Sequence, residues 1–179
     1  MTLRLFAALP VPDSLHAEIV RLQKGVPGAR WRPHENFHIT LRFFGAMDER
    51  QAEDLDAELA HIAMPPFDLA LLGSGWFGKL DPRALWLGVR PSEALSELNM
   101  KCERAARRCG LEPEHRKFHP HMTLAYLQGT PMDRLTRFAE RTGGFATEAW
   151  RATHFTLYSS WTSRGDRNIY EPEADYPLL

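Results

Sequence analysis

Two short blocks carry residue types that can move protons beside a phosphate: Phe37-His38-Ile39-Thr40-Leu41 and Pro120-His121-Met122-Thr123-Leu124. Imidazole titrates near neutrality, so of two facing histidines one can accept a proton while the other donates one. On a strand, a threonine two residues along lies about 6.5 to 7 Å from its histidine at Cα, and its hydroxyl can reach a phosphoryl oxygen that the ring flanks. Chance gives fewer than one His-x-Thr in a chain with 8 histidines, yet a third copy exists at His154-Phe155-Thr156. His154 follows closely behind His121, whereas His38 and His121 are far apart and each has its own strand and helix neighbourhood. That spacing selects His38/Thr40 and His121/Thr123 as the acting pairs and leaves His154 as a locally hydrogen-bonded strand residue.

Period-two alternation assigns the faces. Phe37, Ile39, Leu41 and Phe43 form an apolar core face, and His38, Thr40, Arg42 and Phe44 share the other. In the second block Met122, Leu124 and Tyr126 face one way, and His119, His121 and Thr123 the other. Arg42 has no counterpart, since Ala125 takes the matching place. Two readings of it stand: an asymmetric contact that orients a substrate, or an arginine paired with a nearby carboxylate. Trp31, Phe44 and His119 are candidates for stacking on a nucleobase or ribose, with core or loop packing as the alternative. The basic stretch Arg104, Arg107, Arg108, Arg116 and Lys117 fits a solvated helix face.

Three rival signals have to be weighed. Gly73-Ser74-Gly75-Trp76-Phe77-Gly78-Lys79 matches a phosphate loop up to its lysine. Leu80 then stands where a Mg²⁺-binding hydroxyl belongs, and the segment reads as a turn between strands. Glu112, Glu114, His115, His119 and His121 could hold a metal for a hydrolase of a different class, but that reading leaves both threonines unexplained. A non-catalytic module that binds RNA ends is the third. It would not need two titratable His/Thr pairs.

The elements that must position these blocks follow from pattern. Strands are expected over Leu3–Leu9, Phe37–Phe44, Phe67–Leu72, Ala84–Val89, His121–Leu127 and Thr153–Ser159. Helices are expected from Pro12-Asp13-Ser14 to about Lys24, from Asp48 to before Pro65, over Pro91–Cys109 with Gly110 as C-cap, and over Met132–Arg141. Gly25–Pro33 reads as a loop, and the Pro-, Asp- and Glu-rich end as an irregular tail. Strands and helices so intermixed, with short connections, indicate an α+β fold. The 179 residues, 44% apolar, suffice for one domain. A net charge of −1 supplies no global basic field for long nucleic acids, so any RNA contact should be with a short end. The opening apolar run is too short, and too soon broken by Pro10 and Pro12, for a signal or a membrane span. Cys102 and Cys109 fall about 10 Å apart on one helix, beyond disulfide reach, which fits a reducing cytoplasm.

The two His-x-Thr blocks, with Arg4-Leu5-Phe6-Ala7-Ala8-Leu9-Pro10 as an opening strand, Arg83-Ala84-Leu85-Trp86-Leu87-Gly88-Val89 as a middle strand and Leu157-Tyr158-Ser159-Ser160 as a late one, resemble the two-histidine (2H) phosphoesterase superfamily. Within it the chain is similar to the bacterial and archaeal RNA 2′,3′-cyclic phosphodiesterases, also called 2′-5′ RNA ligases. The resemblance implies one two-lobed domain over residues 1–179, with pseudo-twofold antiparallel sheets flanked by helices around a central cleft. It implies a monomer acting without metal or cofactor on RNA ends or oligonucleotides that carry a 2′,3′-cyclic phosphate. By the same resemblance His121 would activate water, His38 would protonate the leaving 3′ oxygen, and Thr40 and Thr123 would hold the phosphate. Tyr126 departs from the pattern, because many relatives carry arginine there.

Overall fold

The computed structural model describes residues 2–163, 165 and 168–179. Strand β1 (Leu3–Pro10) leads through helix α1 (Asp13–Val20) and a short strand β2 (Ala29–Trp31) to β3 (His38–Met47) and α2 (Glu49–Ala60). Next come β4 (Phe67–Leu69), β5 (Leu71–Phe77), β6 (Ala84–Val89) and α3 (Glu93–Arg108). The chain ends with β7 (His121–Leu127), α4 (Met132–Thr142), β8 (Trp150–Ala152), β9 (His154–Thr162) and β10 (Asn168–Pro177).

Two four-stranded antiparallel sheets result, in the orders β10-β9-β1-β3 and β2-β7-β6-β5, with β4 and β8 as a separate pair. This is the α+β, two-sheet architecture with flanking helices that the sequence suggests. The lobes are interwoven: the chain visits the first sheet with β1 and β3 and returns to it only with β9 and β10. Helix ends follow local chemistry. Asp48 accepts from the Gln51 amide and Gln51 answers in a capping box, while the Ser92 hydroxyl accepts from the Leu95 amide. One continuous apolar cluster joins residues of both sheets and of all four helices. Cys102 and Cys109 are both free thiols, and no described helix is long and apolar enough to cross a membrane.

Several boundaries differ from the pattern reading. α1 stops at Val20 instead of continuing to Lys24, and the following loop contains β2. The Gly73–Gly78 segment is most of edge strand β5, where a bulge between Leu71 and Ser74 places Gly73 at φ 68°. Gly75 is needed there because the Trp86 indole lies across it, and a Cβ at this position would come within 2.4 Å of the ring. The supposedly irregular tail is β10, an edge strand rich in acid and proline, bulged between Pro172 and Ala174. An edge tolerates Pro172 and Pro177 because one side of its backbone needs no partner.

The largest departure from strict alternation concerns β3. Ala7 pairs with Arg42 and Ala8 with Thr40, so Leu41 is an extra residue, and a second irregularity passes over Phe44. β7 carries the same defect: Leu85 pairs with Ala125 and Trp86 with Thr123, which leaves Leu124 extra. Each bulge follows the motif threonine directly and reverses the facing of the residues just beyond it. Arg42 and Phe44 therefore leave the histidine face and are buried, whereas Phe43 joins that face at 55% exposure. Arg42 donates to Glu103 of α3 and to the carbonyls of Phe43 and Glu112, and Asn99 of α3 donates to the carbonyl of bulged Leu41 at 2.8 Å.

Arg42 is thus the ion-paired arginine of the two sequence readings, anchoring β3 to α3. Glu103→Ala would leave a guanidinium at 8% exposure without its carboxylate. The expected cost is about 2 to 3 kcal/mol, read as a fall in Tm of roughly 5 to 10 °C by calorimetry.

Candidate active site

β3, the edge of the first sheet, lies against β7 of the second, and the motif side chains meet in the cleft between them. The His38 Nδ1 lies 2.7 Å from the carbonyl of Asn36, and the His121 Nδ1 lies 2.6 Å from the carbonyl of His119. A carbonyl only accepts, so each Nδ1 carries hydrogen and each Nε2 is left to the cleft. The anchor is the same in both lobes: a backbone carbonyl two residues upstream fixes the ring. His38 Nε2 is 3.0 Å from the Thr40 hydroxyl, which donates to it in the neutral ring. Thr123 follows His121 on the same face of β7, as Thr40 follows His38 on β3.

The surroundings of the two rings are aromatic but unlike. Phe6 lies 5.1 Å and Tyr170 5.3 Å from the His38 ring, with Phe43 and Tyr158 packed on Phe6. Phe77 stands edge-on to His121 at 4.9 Å, and Trp86 and His119 complete that wall. Such walls strip water from the imidazoles, and desolvation opposes their charged forms. Burial, helped by the positive charge of His121 and Arg32, lowers His38 to about 4 against the partly compensating Asn36 carbonyl. Burial lowers His121 as well, against the His119 carbonyl. Without substrate the neutral form of both rings is therefore favoured, the His38 Nε2 lone pair accepting from Thr40.

Of the stacking candidates, His119 stands at the cleft wall, its ring 4.8 Å from Trp86. Trp31 does not face the cleft: it packs toward Phe138 of α4. Phe44 is buried behind β3 near Arg42, and Phe43 stands in the place assigned to it. Tyr126, assigned to the core face, is turned into the cleft by the Leu124 bulge and interacts with Tyr170 of the opposite lobe. Period-two reading also missed Arg32, Phe77, Trp86, Tyr158 and Tyr170. A signal for Phe43 and Tyr126 did exist: an aromatic residue recurs five positions after each motif histidine.

The rival sites are not assembled. Among the described residues no group of three or more His, Cys, Asp or Glu is gathered to hold a metal ion, so Glu112, His115, His119 and His121 do not converge. Glu114 is instead occupied by Arg116. His154 starts β9, its Nδ1 3.3 Å from the Thr153 hydroxyl, facing a hollow lined by Pro10, Pro12 and Trp150.

The sequence profile of the 2′-5′ RNA ligase superfamily matches residues 11–163. A protein of Aeropyrum pernix named RNA 2′,3′-cyclic phosphodiesterase is 41% identical over 97 residues, which cover 53% of this chain and 55% of that relative. The match thus spans about half the length of that protein. One of the same name from Escherichia coli is 32% identical over 179 residues, covering 98% of this chain and 96% of the relative. The crystal structure of E. coli LigT complexed with 3′-AMP is similar at a TM-score of 0.84 and 29% identity, over 99% of both chains.

In nitrogen-detected NMR titrations the His38 ring should remain neutral, with hydrogen on Nδ1, until the pH falls to about 4, and His121 should protonate below the ordinary imidazole value. A His38 midpoint at 6.5 or above would contradict this account of the site.

Proposed function

The chain belongs to the 2′-5′ RNA ligase superfamily, and from that premise we propose that it is an RNA 2′,3′-cyclic phosphodiesterase that leaves 2′-phosphate ends by acid/base catalysis without a metal. The observation that carries the reading is the paired geometry of His38 and His121. Each is fixed through Nδ1 to a carbonyl two residues upstream; His38 Nε2 meets the Thr40 hydroxyl, and Thr123 follows His121 on the same face of its strand.

His121 takes a proton from water as the water oxygen bonds to phosphorus. The bond from phosphorus to the 3′ oxygen breaks, and His38 gives that oxygen its proton. Thr40 and Thr123 donate to the non-bridging oxygens, where charge concentrates in the transition state. The direction, His121 as acceptor and His38 as donor, follows the family resemblance. It requires the phosphate to raise His38 from its resting value of about 4, so charging of the acid is coupled to arrival of the anionic substrate. A 5′-hydroxyl in place of water would give a 2′-5′ linkage by the same steps. Phe43, Tyr158 and Tyr170 on one wall, and Phe77, Trp86 and His119 on the other, offer faces for the terminal nucleoside. We place this activity in a monomer in the cytoplasm, where two free thiols stay reduced.

Hydrolysis of an oligoribonucleotide ending in a 2′,3′-cyclic phosphate should persist in excess chelator. It should fall by about 10³-fold or more in His38→Ala and His121→Ala, about 10-fold to 100-fold in Thr40→Ala and Thr123→Ala, and hardly change in His154→Ala. Loss of wild-type activity on chelation would sink the metal-free mechanism.

The pH profiles carry a sign. Burial lowers both imidazoles in the empty cleft, so kcat/KM, which reports free enzyme, should have its optimum on the acidic side of 6.5. Bound phosphate raises both rings, so the kcat profile should lie at higher pH. Superimposable profiles would contradict the coupling.

A further inference from the structure

Among the described residues two arginines are buried, and they are placed in opposite circumstances. Arg42, at 8% exposure, has Glu103 and two carbonyls as acceptors. Arg32, at 6% exposure, makes no ion pair and no side-chain hydrogen bond among the described residues. A guanidinium with no carboxylate beside it among the described residues holds five N–H donors in a fork that matches two oxygens of a phosphate.

Its position is built by the fold. The Arg32 amide donates to the carbonyl of bulged Leu124 at 2.8 Å, and Gln23 donates to the Arg32 carbonyl at 2.8 Å, which pins the end of β2 to β7. Trp31 turns away to Phe138. The Arg32 guanidinium lies 5.1 Å over the Tyr126 ring, which the same bulge has swung into the cleft. Its charge is felt across the cleft by both His38 and Tyr170 of the first lobe. A flat cation resting on an aromatic face is held in orientation without using any of its N–H groups.

We propose that Arg32, stacked on Tyr126, is a substrate-binding residue whose guanidinium fork grips the non-bridging oxygens of the scissile phosphate between His38 and His121. It supplies from β2 the fixed positive charge that the histidines, neutral in the empty cleft, do not. The inference rests on the phosphodiesterase reading of the cleft. Inorganic phosphate probes the residue independently of that reading.

The test compares the wild type with Arg32→Met, which keeps an apolar stem on Tyr126, and Arg32→Lys, which keeps a charge without the fork. Binding of inorganic phosphate is measured by calorimetry, hydrolysis of an oligoribonucleotide 2′,3′-cyclic phosphate by kcat/KM, and stability by Tm. Arg32→Met should weaken phosphate binding by about 10-fold or more and lower kcat/KM by about 100-fold, with Tm close to the wild type. Arg32→Lys should recover only part of both losses. Phosphate binding and kcat/KM both within about threefold of wild type in Arg32→Met would overturn the proposal. So would a loss of activity accompanied by a lowered Tm with phosphate affinity intact, since that marks a structural role. If the wild type binds phosphate through Arg32 yet leaves the cyclic end uncut, the assigned reaction fails and the Arg32 site stands.

Discussion

The single extra residue after each motif threonine, Leu41 in β3 and Leu124 in β7, is the constraint on which the cleft depends. An unbroken strand would put the histidine, the threonine and every second residue after them on one face. The bulge ends that sequence after the threonine. It sends Arg42 back to α3 and brings Phe43 forward, and in the other lobe it brings Tyr126 forward. The carbonyl displaced at each bulge is satisfied from outside the strand, by Asn99 in one lobe and by the Arg32 amide in the other. A bulge with its backbone paired in this way is a stable part of the sheet. The pseudo-symmetry therefore extends beyond the shared motif to a shared distortion.

The two lobes use that distortion differently. On the first, the freed arginine is neutralised by Glu103 and ties the motif strand to the helix behind it. On the second, the displaced carbonyl recruits β2 and with it an arginine that lies over the Tyr126 ring. Both cleft walls are aromatic, and neither motif histidine is ion-paired with a carboxylate among the described residues. An imidazole backed by a carbonyl instead of a carboxylate is oriented without being made strongly basic, which leaves its charge to be decided by what enters the cleft.

Much of this was legible in the sequence, and the limits have identifiable causes. The motif pairs, the α+β class, the helices around Leu55 and Leu98, and the rejection of the glycine-rich segment as a phosphate loop all came from residue types and spacing. Arg42, Phe43, Phe44 and Tyr126 were assigned to the wrong faces because alternation assumes an unbroken ladder, and nothing local in Thr-Leu marks a bulge. Trp31 turned inward because Phe138, distant in sequence, offers it an apolar partner. β10 was hidden because its acids and prolines are those of a loop, and only its edge position makes them compatible with a strand. Arg32 lay in a segment read as a loop, and its environment is created by the long-range pairing of β2 with β7.

The carbonyl anchors on Nδ1 also govern how the protein recovers between turnovers. Each ring has one nitrogen not held by a carbonyl, and both of these face the cleft between β3 and β7. On the proposed mechanism a cycle ends with a proton on His121 and with His38 back in its neutral resting form, and the Nδ1 of each ring stays held by its carbonyl. His121 must therefore shed its proton, and His38 take up the next one, on the side where substrate and product sit, so each turnover borrows one proton from the solvent and gives one back.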